Sequence, residues 1–458
     1  MPDPLERRDE ETEALEYVLE EAKRYLGELD NSLVLPERAG GIGGDLPEEG
    51  DGAVVALSEL IAGAGFATRS SGPRFFHFVT GGTTPAALGA DWLTSVLDQN
   101  AFSWISSPLG FELQRTSIRW LLDLFELPED WGGVLTTGAT MANFVGLACG
   151  RTWWADRHGV DLDEQGFAGL PVVPVFSTEY IHASSRKALA MLGLGRDSPQ
   201  LVDVDGLERG LAALKGAPAI VIGNAGDVNT GDFDPIGRMA DLAERHGAWL
   251  HVDGAFGLFA RLTPIAAQLA EGIERADSVI ADGHKWLNVP YDCGFAFVRD
   301  KELLNEPFKF TAAYLPGDES PSPEASRRAR SLAVWATLRA YGRHGHRAMV
   351  ERHLGLAQRL GRRVEEDSEL ELLAPVKLNV VCFRHRPPGL EGDALDEHNL
   401  ALGKDVLEDS RVFFGTTRYE GKTAFRPAIV NWRTTERDID LIADVVLELG
   451  RKRAARKI

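Results

Sequence analysis

The stretch at residues 278–297, SVIADGHKWLNVPYDCGFAF, limits most tightly what this chain can become. Residues 278–281 form a short apolar run that reads as a buried strand. The run ends in Asp282, Gly283 and His284; Lys285 follows, backed at once by the bulky Trp286. A solvated surface lysine has no need of an imidazole and an indole as neighbours at the mouth of a strand. An amine kept partly out of water can instead attack a carbonyl carbon. For a lone lysine, snorkelling from a strand end is the plain alternative.

Around this stretch the chain alternates strand, loop and helix from Gly132 to about Val298. Strands are expected at 134–136, 171–177, 219–223, 248–253, 278–281 and 295–298, with helices at 141–150, 184–194 and 235–246. That order predicts an α/β domain on a mixed, largely parallel sheet, which binds ligands beyond the carboxyl ends of its strands. Three further positions follow strands. The turn Thr137, Gly138, Ala139, Thr140 precedes a helix, so its amides can face an anion, although simple capping explains it as well. His182 lies between a strand and a helix, either as a structural histidine or as a flat ring on which a ligand can stack. Asp253 closes the apolar strand AWLHVD. A carboxylate there is costly unless paired. Its partner would be a turn amide or a protonated pyridine nitrogen.

The order of phosphate turn, His182, Asp253 and Lys285, with the motif HKW at the lysine, resembles the type I pyridoxal-phosphate fold. Within it the chain is most similar to the group II amino-acid decarboxylases, clearly over 74–335 and more loosely in LNVVCFR and AIVNWRT. The resemblance implies pyridoxal 5'-phosphate as cofactor and a set of roles. Gly138, Ala139 and Thr140 would hold the phosphate with help from His284, and His182 would stack on the ring. Asp253 would pair with the pyridine nitrogen, Ala255 would pack on the other ring face, and Lys285 would hold the cofactor covalently. Phe78, Val79 and Thr80, with Phe102 from a partner subunit, would line the substrate pocket. Tyr314, on a loop that folds over the site, would return a proton to the substrate carbon. No metal is implied.

Some positions depart from the family pattern. Thr140-Met141-Ala142-Asn143 replaces the usual Ser-Glu-Ala-Asn. Asp227 stands where a Thr or Ser often faces the ring hydroxyl, and Asp282 where an Asn often assists the phosphate. The pocket candidates are apolar or aromatic, with Trp104 beside Phe102 and no Arg or Lys among them. An aromatic or large apolar L-amino acid is therefore expected over glutamate, with decarboxylation to amine and CO2 as the reaction. Amino transfer, for which Arg426 could hold an α-carboxylate, and aldehyde synthesis are the alternatives.

The rest of the chain frames that domain. An amphipathic helix at 11–29 predicts an N-terminal arm, which can lie on a partner subunit or on its own. Residues 36–52 read as loop, 86–97 and 109–127 as helices. Residues 317–330, with Pro321 and Pro323, read as a mobile loop. Helices at 331–341, 344–367 and 438–451, with strands at 376–383 and 423–431, predict a small C-terminal α+β domain. The expected division is an arm at 1–72, a cofactor domain at 73–345 and a small domain at 346–458. A net charge of −20 disfavours nucleic acid and anionic membrane as partners. Three cysteines in 458 residues suggest no disulfide framework. A cytoplasmic homodimer with its site at the subunit interface is the expectation.

Overall fold

The computed structural model describes residues 9–35, 43–63, 67–309 and 322–455. Four helices come first: α1 (Glu10–Glu28), α2 (Ala53–Gly63), α3 (Pro85–Leu97) and α4 (Pro108–Leu124). The central domain follows as β1 (Gly132–Thr136), α5 (Ala139–Asp156), α6 (Leu162–Gln165), β2 (Val175–Ser177), α7 (Ala183–Met191), β3 (Pro199–Leu201), α8 (Val204–Ala213), β4 (Ile220–Asn224), α9 (Ile236–His246), β5 (Trp249–Asp253), β6 (Ser278–Asp282), β7 (Gly294–Val298) and α10 (Lys301–Asn305). The C-terminal part holds α11 (Ser331–Glu366), β8 (Leu370–Leu372), β9 (Phe383–His385), α12 (Gly392–Asp409), β10 (Thr416–Tyr419), β11 (Lys422–Phe425) and α13 (Glu436–Ala455).

Seven strands form one sheet in the order β1-β7-β6-β5-β4-β2-β3. β6, β5, β4, β2 and β3 run parallel, and β7 is antiparallel to both of its neighbours. The mixed, mostly parallel sheet expected from the sequence is therefore the sheet observed. Its central strands are buried on both faces, as apolar runs such as SVIAD and WLHVD require. One face packs Val134, Ile222, Ile280 and Ala296 against α5 and α7. The other packs Leu135, Val221, Val252, Val279 and Phe297 under α4 and α9. Each buried Val, Leu, Ile or Phe among them contributes about 1.5–3 kcal/mol. A second, four-stranded sheet, β10-β11-β9-β8, has a core of its own with α12 and α13.

Several boundaries differ from the sequence reading. α5 begins at Ala139 rather than 141, so Gly138 is its N-cap and Ala139 and Thr140 lie in its first turn. The helices expected at 331–341 and 344–367 are both present within α11, which breaks between them at Gly342, where φ 58° and ψ −176° are not helical. The strand expected at 376–383 is regular only from Phe383 onward. Its earlier residues instead meet 427–429 through isolated bonds, Val381 N to Pro427 O and Ile429 N to Asn379 O. Pro427 has no amide hydrogen to continue a ladder, which also ends β11 at Phe425. β3 and α8 were not anticipated, although Asp203 caps α8 by accepting from Gly206 N and Leu207 and Leu211 give it a buried stripe. Of the expected mobile loop, 317–321 lie outside the described residues. The described remainder is tied down, with Arg327 N donating to Asn100 Oδ1 and Arg330 paired with Asp292.

Two segments clasp the turn after β6. Gly81 N donates to His284 O, and a Cβ at Gly81 would stand 1.7 Å from Lys285 O. Only a glycine allows that approach. Gly81→Ala should therefore lower stability by more than about 3 kcal/mol, seen as a falling urea midpoint. Gly89→Ala, in α3 with nothing within 4 Å of the added carbon, should be neutral or stabilising by up to about 1 kcal/mol.

Candidate active site

Lys285 lies in a wide helical turn, Gly283–Leu287, that opens where β6 ends. Trp286 anchors the turn: it is fully buried, and its Nε1 donates to His353 Nδ1 at 2.9 Å. His353 Nε2 in turn donates to Asn431 O at 3.0 Å. Burial pushes the His353 imidazole down to about 3, so it stays neutral and can accept from the indole. Asn288 closes the turn in the left-handed region at φ 58°. Its Nδ2 donates to Lys285 O, Trp286 O and Val430 O, and its Oδ1 accepts from Trp432 N. The AIVNWRT segment is thus part of the scaffold that fixes the lysine. The Lys285 side chain is 16% exposed, and its Nζ lies 3.2 Å from Asp282 Oδ2 and 5.7 Å from the Phe256 ring centre.

Asp253 ends the neighbouring strand β5. Its Oδ2 accepts from Asn143 Nδ2 at 2.8 Å and Ser185 Oγ at 3.1 Å, and its Oδ1 from Ala255 N at 3.2 Å. Burial alone would raise its pKa, but His182, Lys285 and the Asn143 amide outweigh that and hold the carboxyl below its usual range. Behind Asn143 runs a buried relay. His251 Nε2 donates to Asn143 Oδ1, Ser278 Oγ donates to His251 Nδ1, and Trp249 Nε1 donates to Ser278 Oγ. Burial pushes His251 down to about 4, so it is neutral, with its hydrogen on the nitrogen that faces Asn143. A carboxylate ionised at neutral pH and rigidly held is what keeping a pyridine nitrogen protonated requires.

His182 caps α7, its Nδ1 accepting from Ser184 N at 3.2 Å and lying 2.7 Å from Ser184 Oγ. With Nδ1 an acceptor, the ring hydrogen is on Nε2. The ring is open to solvent yet hemmed in by protein, and desolvation lowers its pKa despite the pull of Asp253. Gly138 caps α5 at φ 150° without a side-chain bond to the helix amides. A Cβ there would meet His284 Cε1 at 2.9 Å. This glycine cradle at the head of an 18-residue helix, with Lys285 and Asp253 nearby, suits a phosphorylated pyridine aldehyde.

On the turn from residue 77, Phe78 and Val79 adopt φ of 55° and 60°. Phe78 is 63% exposed, whereas Val79 and Thr80 are buried, so of these three expected pocket residues only Phe78 presents its ring openly. Thr80 Oγ1 lies 3.2 Å from the hydroxyl of Tyr291, whose exposed ring stacks on His284 at 4.3 Å. Asp227 does not offer both oxygens freely: Oδ2 accepts from Asn229 N, Thr230 N and Thr230 Oγ1, which makes it a turn cap. Ala255 is partly buried beside Asp253, and Phe102 is partly buried in the loop before α4. Tyr314 lies outside the described residues.

The sequence reading missed Asn143 as a ligand of Asp253, Ser185, His251 and Tyr291. Tyr291 carried a signal, an aromatic after Pro290 only six residues beyond the lysine. Arg426, named in the sequence reading only for amino transfer, acts by its charge on His77 and His182.

A depressed carboxyl pKa contributes stability above its unfolded value of about 4, and this is lost as pH falls through the folded value. Asn143→Ala removes a charged hydrogen bond and should cost about 1.5–3 kcal/mol at pH 7. In urea titrations the deficit should shrink as the pH falls below the unfolded value of about 4 and through the lower folded one.

A family model for the pyridoxal-dependent decarboxylase conserved domain matches residues 58–386. The aromatic-L-amino-acid decarboxylase of Bacillus atrophaeus is 28% identical over 389 residues, covering 80% of this chain and 79% of its own. The acidic amino acid decarboxylase GADL1 of Mus musculus is 28% identical over 419 residues, covering 84% and 75%. Among solved structures, Oryza sativa TDC with pyridoxal phosphate and tryptamine superposes with a TM-score of 0.90 at 23% identity, covering 97% of this chain and 98% of that one. Mouse CSAD gives 0.88 at 24% identity, covering 98% and 99%. The chain belongs to the pyridoxal-dependent decarboxylases, and is an amino-acid decarboxylase that works with pyridoxal phosphate.

Proposed function

We propose that the enzyme decarboxylates an L-amino acid with an aromatic or large apolar side chain, releasing the amine and CO2. The observation that carries this reading is a pair of exposed aromatic rings, Phe78 and Tyr291, on the two segments that adjoin the lysine turn. Phe78 projects from a left-handed turn against His77, their ring centres 3.7 Å apart. Tyr291 stands across the lysine turn on His284. Two exposed aromatic rings at a site mouth favour a flat apolar side chain over a carboxylate.

The bound cofactor supplies an electron sink for the pair released as CO2 leaves. In this reading Lys285 would hold the cofactor through its side-chain amine. Asp253 keeps the ring nitrogen protonated, with Asn143 and Ser185 preventing the carboxylate from turning away. The amides of Ala139 and Thr140 would hold the phosphate, with His284, which lies against Gly138, assisting. Ala255 would pack on one face of the ring and His182 on the other, where the His182 Nε2 hydrogen is available for proton transfer. Tyr314 is the second candidate to return a proton there. Asp227 orients the loop that carries Val228, whose carbonyl accepts from Arg426 Nη1 at 3.3 Å. Arg426 pairs with the substrate α-carboxylate, which fits any amino acid and does not select among them.

A homodimer fits the surface. Leu93, Val96 and Leu97 on α3 and Trp104, Ile105 and Leu109 just after it are all exposed apolar groups within one stretch. Covering them with a second copy would bring Phe102 toward the partner's pocket.

A panel of amino acids with products identified by mass tests the proposal. Phenylalanine, tyrosine or tryptophan should yield its primary amine and CO2, with kcat/KM about 100-fold or more above that for glutamate. Keto acids alone, or aldehyde with ammonia and peroxide, would overturn the reaction, and a preference for glutamate would overturn the substrate class.

A further inference from the structure

Asp282 is out of keeping with the cradle beside it. It is 2% exposed, and its Oδ2 faces Lys285 Nζ at 3.2 Å and His284 Nε2 at 3.5 Å. Its Oδ1 is buried without a hydrogen-bond partner among the described residues. That oxygen points at the phosphate seat, 3.5 Å from where a Cβ on Gly138 would stand. The same seat is lined by the uncapped first turn of α5, whose amides at Ala139 and Thr140 suit a phosphate. A carboxylate oxygen in that wall repels a phosphate dianion, and low dielectric strengthens the repulsion.

In the free protein the Lys285 ammonium compensates Asp282. Once the Lys285 nitrogen is committed to the cofactor, that compensation weakens as two further negative charges arrive. The other groups that face Asp282 cannot replace it. His284 on its own turn has its pKa lowered chiefly by burial. His182 at the head of α7 is likewise lowered by desolvation. Cys293 on β7 is buried and stays neutral. On the β5 side Ala255 O accepts from Asp282 N and Asp253 adds a second negative charge acting on Lys285, and the β1 side offers the Gly138 turn. Farther off, Asp292 and Arg330 form a pair of their own.

We propose that Asp282 takes up a proton when pyridoxal phosphate binds, so that its Oδ1 donates to a phosphate oxygen and cofactor retention becomes pH-linked. The proposal rests on Lys285 as the cofactor's anchor. A net uptake of one proton makes affinity highest at low pH and weakens it as pH rises, by about tenfold per unit once the proton must be drawn from solution.

The test compares wild type with Asp282→Asn, which keeps the shape and donates without a proton. Calorimetric titration with pyridoxal phosphate in two buffers of different ionisation heat counts protons. Asp282→Asn also removes the carboxylate 3.2 Å from Lys285, so the proton change at the lysine is followed separately in each protein by the pH dependence of the bound cofactor's absorbance. Wild type should take up close to one proton more per cofactor than Asp282→Asn, and its Kd should rise more steeply from pH 7 to pH 9. The 31P resonance of bound cofactor should move with pH in wild type and stay fixed in the variant. Equal proton counts with parallel Kd profiles would overturn the proposal while leaving the cofactor site intact. If Asp282→Asn does not fold, a pH-independent 31P resonance in wild type would overturn it alone. Failure of wild type to bind pyridoxal phosphate would instead overturn the anchor assignment, and this proposal with it.

Discussion

A buried carboxylate at the end of β5 is the constraint on which the site depends. Asp253 has no solvent to stabilise its charge, so the fold must do so, and it draws donors from three places: Asn143 on α5, Ser185 on α7 and its own following amide at Ala255. Those donors lock the two helices against the sheet at its carboxyl edge. The relay through His251, Ser278 and Trp249 then fixes Asn143 from behind. Nothing in this network is needed to fill a core, since apolar side chains would pack there at lower cost. Its result is a fixed negative charge near the lysine amine.

The lysine is held by different means. Its backbone is gripped by Gly81 on one side and by Asn288 with the 430–432 segment on the other, while Trp286 is pinned through His353 to Asn431. Segments distant in sequence therefore meet on one turn. The side chain itself is left with one carboxylate and one aromatic face, an arrangement that leaves the amine free to react. Rigid backbone with a loosely engaged side chain is a sound design for a group that must form and break a bond in each cycle.

The central sheet was legible in the sequence because its strands are short apolar runs bounded by turn residues, and the site residues lie just past those runs. HKW, the aspartate closing AWLHVD and the His before α7 all fall there. The small domain was less legible. Leu378, Val380, Val381 and Cys382 are apolar and buried, yet Pro427 on the facing segment denies the stretch a continuous ladder. The start of α5 was placed late because Gly138, without a capping side chain, gives no signal. Asn143, Ser185 and His251 were hidden for another reason: they reach Asp253 only once a helix is laid on the sheet, and no local spacing encodes that. The Asn288 and Asn431 clasps are likewise long-range, with polar residues buried because partners far along the chain satisfy them.

Borohydride reduction of the holoprotein, followed by peptide mapping, reads the central claim most directly. The account predicts a phosphopyridoxyl group on the peptide carrying Lys285 and on no other lysine. A modified lysine elsewhere, with the 285 peptide unchanged, would contradict it.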